Sequence, residues 1–366
     1  MSFGGLVELI CETLVNISWQ ATLLGIIVVT TQFVFSKCLR PEISSLLWLV
    51  LLIRLILVSG PESSMSISNY TGVQFPDAEG PGPALWEGPG DALELLDLEY
   101  FIIRGLSTIW LVGVIIGFFK WLEIKIFWHK QFKKTQLVGN PEILNALADA
   151  EIELETEPQV TIVHSQIVQS PTLYGVYKPR LIIPTGMMDK LTPIQWKLIF
   201  RHEVAHIKRF DILTVNLIGI MHILHWFNPI LRWLLTKILA DIELAADSIA
   251  LKNASKGEQK LYARTLLKFV ECQSAKYTWN QPLRVCFWNS ENHLISRFHN
   301  ISGDQKKVQT SIAAGTALVI FLILTGLTDP VFPRPIQPMS FDSIRVISEW
   351  KNVPENHEDW RGQPSN

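Results

Sequence analysis

Apolar runs at Leu14–Phe35, Ile43–Val58, Phe101–Phe119 and Ile312–Leu327 constrain this chain more than any other feature. A helix of about 20 apolar residues matches the roughly 30 Å hydrocarbon core of a bilayer, so each run is read as a membrane span. Trp19 sits where an interfacial aromatic anchor belongs. Mean hydropathy is +0.23, with 48% hydrophobic and 18% charged residues, a balance that fits several lipid-embedded segments better than a wholly soluble fold. Glu8 and Glu12 precede the first run and the first basic residue is Lys37, so a cleavable leader is not expected and the first run should stay as an anchor.

Charge placement predicts the sidedness of the spans. Lys37 and Arg40 follow the first run, and Lys120, Lys125, Lys130, Lys133 and Lys134 follow the third. Residues 60–99 hold acidic residues from Glu62 to Glu99 with no Lys or Arg. Basic flanks inside and an acidic loop outside satisfy the positive-inside rule. The expected layout is a first transmembrane hairpin at 1–59, an acidic external loop at 60–100, and a third span with a basic juxtamembrane helix at 101–134. A cytoplasmic domain at 135–305, a fourth span at 311–327 and an external Pro-rich tail at 328–366 complete it. Both termini are then external. Aromatic residues interleave with the lysines of 120–134, and directly after a span that pattern is read as a helix lying on anionic lipid. Arg54, near the far end of its run, is expected to snorkel outward or meet a carboxylate. The net charge of −2 argues against direct nucleic-acid binding driven by bulk charge. Cys11, Cys38, Cys272 and Cys286 lack C-x-x-C spacing and are read as free thiols.

Between the third and fourth runs the composition is that of a soluble α+β domain. Val160–Val163 and Arg180–Ile183 read as strands bounded by Pro and Gly. Thr192-Pro193-Ile194-Gln195 is a capping-box pattern with Pro at the first helical position, and it opens a helix carrying His202, Glu203 and His206. Histidines at i and i+4 share one helical face and can reach one metal ion, and the glutamate beside the first faces the metal-bound water as general base. A catalytic zinc needs a third protein ligand and an open position. Glu243, on a helix read at Asp241–Leu251, is the candidate, returned toward the first helix by a preceding helix at Ile230–Ala240. Asp247, one turn further, is placed to accept the second N–H of a ligating histidine, and Asp211 is a similar candidate. Ile212–Phe227 reads as a buried or membrane-skimming helix, since it holds Asn216, His222 and His225 and ends at Asn228-Pro229. Tyr262, His225 and His293 are open alternatives for stabilising the oxyanion.

Taken in order, Ser170-Pro171, Gly175, Pro179, Ile182-Ile183-Pro184, His202-Glu203-Val204-Ala205-His206 with Arg209 and Asp211, Trp226-Phe227-Asn228-Pro229, and Glu243 with Asp247 resemble the BlaR/MecR family of antirepressor-type membrane zinc metallopeptidases, of the gluzincin class. The resemblance implies a four-span membrane α-helical protein with a cytoplasmic α+β gluzincin-type domain in the bacterial cytoplasmic (inner) membrane. It implies one Zn2+ on His202, His206 and Glu243, Glu203 as general base, and Asp247 in an orienting role. The implied activity is that of a metalloendopeptidase relaying an external signal by cutting a cytoplasmic protein such as a transcriptional repressor, and its own chain near residues 275–300. Its partners are then membrane lipid and that substrate, with a homodimer left open. Two other readings stand beside it: a quality-control peptidase of the HtpX/CAAX-processing type, and a zinc-containing membrane receptor without proteolysis. Ser348-Glu349-Trp350-Lys351 matches a Ser-x-x-Lys sensor pattern but is read as coincidence, because an acylating domain needs more than about 150 residues around its serine. A β-lactam signal is accordingly not expected.

Overall fold

The computed structural model describes residues 3–35, 41–57, 91–156, 160–168 and 170–274, with short pieces at 62–63, 297–298, 301, 320–322, 326–327 and 329–330. Three helices form the apolar part of the molecule: α1 (Phe3–Val34), α2 (Pro41–Ile56) and α3 (Asp91–Phe132). Among the described residues, two helices are long and apolar enough to cross a membrane, Gly4–Val34 and Phe101–Phe132. On α3 the apolar side chains from Phe101 to Phe119 mostly point outward, as expected of a helix solvated by lipid. At 16 residues α2 is shorter than that, and its inward face (Leu47, Trp48, Leu51, Leu55) packs on Ile17, Leu24 and Val28 of α1. Residues 64–90 of the expected acidic loop, most of the fourth expected span, most of the tail, His293 and the 275–296 segment lie outside the described residues, whereas 91–100, expected as the end of that loop, form the first turns of α3 because Asp91 to Tyr100 contains no Gly or Pro to break the helix. Of the two arrangements expected for Arg54, extension outward is not the one formed: the residue is buried and donates to the Gln20 side chain and the Leu57 carbonyl.

Nothing in residues 118–132 breaks a helix, so the juxtamembrane stretch continues the third span. The single 42-residue helix would extend about 63 Å. Its end meets a four-stranded sheet: β1 (Gln136–Leu137), β2 (Thr161–Ser165), β3 (Thr172–Tyr174) and β4 (Arg180–Pro184), in the order β1-β2-β4-β3. The central pair, β2 and β4, is parallel with Thr161 opposite Arg180, and β3 joins β4 antiparallel. Gly175 makes the turn between them at φ +96°, where a Cβ would lie 2.8 Å from the Lys178 carbonyl oxygen. Alternation along the strands sends Ile162, Leu181 and Ile183 to one face and Val163 and Ile182 to the other. The second face is covered by Trp128 and Phe132 of α3. Those two aromatics, read from sequence as lying on lipid, instead cover the sheet, which offered them a dry β-branched surface.

The first face packs on α4 (Pro141–Glu153) and α5 (Pro193–Lys208), with Ala146, Ala150, Trp196 and Phe200 in the shared core. Then come α6 (Asp211–Leu224), α7 (Pro229–Ala250) and α8 (Lys256–Ser274). The two helices expected at Ile230–Ala240 and Asp241–Leu251 are one, capped at Asn228, whose side chain accepts from the Leu231 N–H. Helices α6 and α7 form a hairpin inserted among α1, α2 and α3. Going along α3, Trp110 donates to the Leu224 carbonyl, Gly113 meets Trp226, Gly117 meets Ile223 and Trp121 meets Gly219, so α6 runs antiparallel to α3 and does not skim across it. The return helix runs parallel to α1. Asn228 donates to Ser18 and Thr22, Leu234 fills the space beside Gly25, and Asp241 accepts from Gln32.

Candidate metal centre

Helix α5 starts where its sequence says it should. The Thr192 side chain accepts from the Gln195 N–H, and the Gln195 side chain accepts from the Thr192 N–H, satisfying two otherwise orphaned donors. Trp196, Ile199 and Phe200 bury one side of the helix, which leaves His202, Glu203 and His206 facing α7. Helix α7 changes surroundings along its length: Leu231 to Ile242 pack among α1 and α2, whereas Ala246 belongs to the core beneath the sheet. Glu243 sits at that change.

One ligand atom from each of His202, His206 and Glu243 lies within 4.8 Å of the others. The two Nε2 atoms are 3.1 Å apart, and the Glu243 oxygens lie 3.5 Å from His202 Nε2 and 3.6 Å from His206 Nε2. Ligands about 2.0–2.1 Å from a tetrahedral zinc stand about 3.3 Å from one another, so the spacing fits such an ion. The imidazoles meet at 87° with centroids 4.6 Å apart, and their Nε2 atoms lie side by side.

Each histidine has an aspartate behind it. His202 Nδ1 is 2.9 Å from Asp247 Oδ1, and His206 Nδ1 is 2.8 Å from Asp211 Oδ2. An aspartate on Nδ1–H fixes the tautomer that leaves the Nε2 lone pair for a metal. Asp211 reaches back because Phe210, between α5 and α6, adopts φ 58°, a left-handed conformation that costs a non-glycine residue about 1 kcal/mol. Each aspartate in turn has an arginine. Arg209 Nε contacts both Asp211 oxygens at 3.1 and 3.2 Å. Arg297 Nε donates to Asp247 Oδ2 at 2.7 Å and its Nη2 to Oδ1 at 2.8 Å, while Nη1 reaches Glu243 Oε2 at 3.0 Å.

The electrostatics follow from this crowding. Burial alone would depress the His202 imidazolium, but the hydrogen bond and charge of Asp247, with Glu243, overcome it and raise the group to about 10. Burial works against ionisation of Glu243, yet Arg297 and the two histidines hold it down to about 2. Asp247 is lowered in the same way. Glu203 goes the other way: burial raises it, opposed in part by the two histidines. No hydrogen bond among the described residues engages the Glu203 carboxylate, as suits a group that must exchange a proton with a reacting water.

Of the three oxyanion alternatives, Tyr262 is fully buried behind His202, its hydroxyl donating to Asp247 Oδ1 at 2.6 Å. That hydroxyl is taken up by Asp247 and also accepts from Arg297. His225 caps the far end of α6, and α7 must run about 22 Å from Asn228 before reaching Glu243. His293 lies outside the described residues. Sequence reading named Arg209 without its role and missed Arg297. Arg209 stands two positions from Asp211 and was visible by proximity, whereas nothing in the sequence ties Arg297 to a carboxylate 50 residues away.

Comparison with known proteins reaches the same region. The family described as BlaR1 peptidase M56 matches residues 92–301. "Regulatory protein BlaR1" of Bacillus licheniformis is 27% identical over 235 residues, covering 64% of this chain and 37% of that protein. "Regulatory protein BlaR1" of Staphylococcus aureus is 31% identical over 256 residues, covering 67% of this chain and 43% of that protein. "Methicillin resistance mecR1 protein" of Staphylococcus aureus is 24% identical over 176 residues, covering 48% and 29%. The chain thus spans about two fifths of the length of the two BlaR1 proteins.

Proposed function

Starting from the premise that this chain belongs to the BlaR1 peptidase M56 family of metallopeptidases, we propose that it is an integral-membrane zinc endopeptidase that transmits a signal by cutting a cytoplasmic protein, a transcriptional repressor being the favoured class. The observation that carries the reading is the convergence of His202, His206 and Glu243 within 4.8 Å, with a buried aspartate behind each histidine. The BlaR1 relatives, which are called regulatory proteins, support a regulatory over a digestive role.

In this reading His202, His206 and Glu243 hold one Zn2+, and Asp247 and Asp211 keep the imidazoles in the ligating tautomer. When bound, the metal polarises the scissile carbonyl and lowers the pKa of the attacking water. Glu203 accepts the proton of that water and passes it to the leaving amine, a task suited to a carboxylate whose affinity for protons is raised by burial. Replacing Glu203 with Gln removes the base and no ligand. Zinc content should stay at the wild-type level while cleavage of cytoplasmic candidates in cells is lost; unchanged cleavage would discard Glu203 as the base.

The membrane arrangement proposed has α1, α2, α3 and a fourth span at 311–327, with the 135–305 region cytoplasmic. Antiparallel α1 and α2 support it, as does the pairing of Glu62–Ser63, after α2, with Asp329–Pro330, after the fourth run. The α6–α7 hairpin then enters the cytoplasmic side of the bilayer and returns, its tip shielded from lipid by α1 and α3. Single cysteines introduced at 80 and 256 in a background with the four native cysteines replaced by Ser test this: a membrane-impermeant maleimide should label the first and not the second in intact cells, and the reverse pattern would invert the topology.

A further inference from the structure

The residue that ties the metal centre together comes from outside every motif so far used. All three guanidinium nitrogens of Arg297 are engaged: Nε and Nη2 by the two Asp247 oxygens, Nη1 by Glu243, with Nη2 also 3.3 Å from the Tyr262 hydroxyl. Its side chain is only 12% exposed. Its place is set by its neighbours, for Phe298 and Ile301 pack into the core that also contains Ala246 and Tyr262. We propose that Arg297 is a positioning residue of the peptidase, whose planar fork fixes the third metal ligand, Glu243, relative to the aspartate that orients His202. The inference rests on the metal-site reading above.

A point charge in the same place would neutralise the two carboxylates but would leave Glu243 free to turn about its own torsions. A guanidinium has donors in a fixed plane, so satisfying Asp247 with two of them dictates where the third holds Glu243. One arginine thereby converts two carboxylates on successive turns of α7 into a single rigid group. The arrangement also makes the ligand geometry depend on how Phe298 and Ile301 dock, well beyond the helix that supplies the ligand.

The test uses the full chain in detergent, loaded with Co2+, whose visible spectrum reports ligand geometry, together with steady-state cleavage of labelled casein. Wild type, Arg297→Gln and Arg297→Lys are compared, and thermal unfolding of each metal-free protein establishes that it is folded. The expected result for Arg297→Gln is a changed cobalt spectrum and a kcat lower by at least about tenfold, with KM within about threefold. Arg297→Lys keeps the charge without the fork and should not restore the wild-type spectrum; it also supplies the reading if the Gln variant does not fold. A wild-type spectrum per bound cobalt in either folded variant overturns the proposal, and where cleavage is too slow to measure the spectrum alone decides. Wild-type protein that yields no cobalt spectrum of a protein-bound site would instead overturn the metal-site reading itself.

Discussion

The two histidines of the candidate metal centre are supported by arms of the same chemical design but different origin. His206, Asp211 and Arg209 come from one stretch spanning the end of α5 and the start of α6, five residues separating histidine from aspartate. His202 relies on Asp247 from α7, Tyr262 from α8 and Arg297 from beyond it. The first arm is complete once one left-handed residue, Phe210, turns the chain. The second needs the tertiary fold before any of its contacts can exist. Local arms are therefore robust to disturbance elsewhere, and the assembled arm reports on the packing of the whole domain.

The comparison breaks first at the metal. His202→Ala and His206→Ala should both reduce zinc per purified chain to near zero, because neither arm can compensate for a lost ligand; retention by one variant alone would show that the site does not use both. The arms diverge in their protons. With His202 raised to about 10, the metal-free site carries a proton there throughout the neutral range, and that proton must leave before Nε2 can ligate. Zinc affinity should thus rise about tenfold per pH unit from pH 6 to 8, with about one proton released per ion bound. Calorimetry in buffers of different ionisation enthalpy counts that proton, and a flat pH dependence would refute the assignment.

The aspartates sharpen the contrast further. Asp247→Asn should weaken metal binding or activity by about 10- to 100-fold and also destabilise the protein, since it leaves the buried Arg297 short of a counter-charge. Asp211→Asn should cost activity on that scale with a smaller loss of thermal stability, because Arg209 is nearer solvent and also reaches Ser45. Equal unfolding temperatures for the two variants would mean that the assembled arm carries no extra load. Smallest is Tyr262→Phe, which deletes one buried hydrogen bond to Asp247 and should cost about 1–2 kcal/mol, read from denaturant unfolding.

What could be read from the sequence divides along the same line. The capping box at Thr192, the i, i+4 histidines and the strands near 160 and 180 are short-range patterns, and the structure forms all of them. Helix α4 could have been found from Asn140-Pro141, an N-cap followed by Pro at the first position, since Asn140 accepts from the Glu142 N–H. The continuous α3 and α7 were each divided at a change of composition, although no Gly or Pro breaks either one there. Arg297 was invisible, because its partners are set by the docking of Phe298 and Ile301 and no local pattern encodes that. Tyr262 was noticed for its chemistry, but only its burial behind His202 shows which neighbour it serves.

Helix α7 links the candidate metal centre to the apolar helices, and the end of the α1–α2 hairpin near Gln32 and Glu42 grips it on both sides of Glu243. Asp241, two residues before Glu243, accepts from Trp48 and Gln32, and Ser248, next to Asp247, donates to Glu42. Leu231 to Ile242 pack among the apolar helices, so the first half of α7 belongs to the same core as α1 and α2. Among the described residues the helix that carries Glu243 is the same helix that packs on α1 and α2, so a tilt of that hairpin would bear on Glu243 along one unbroken rod.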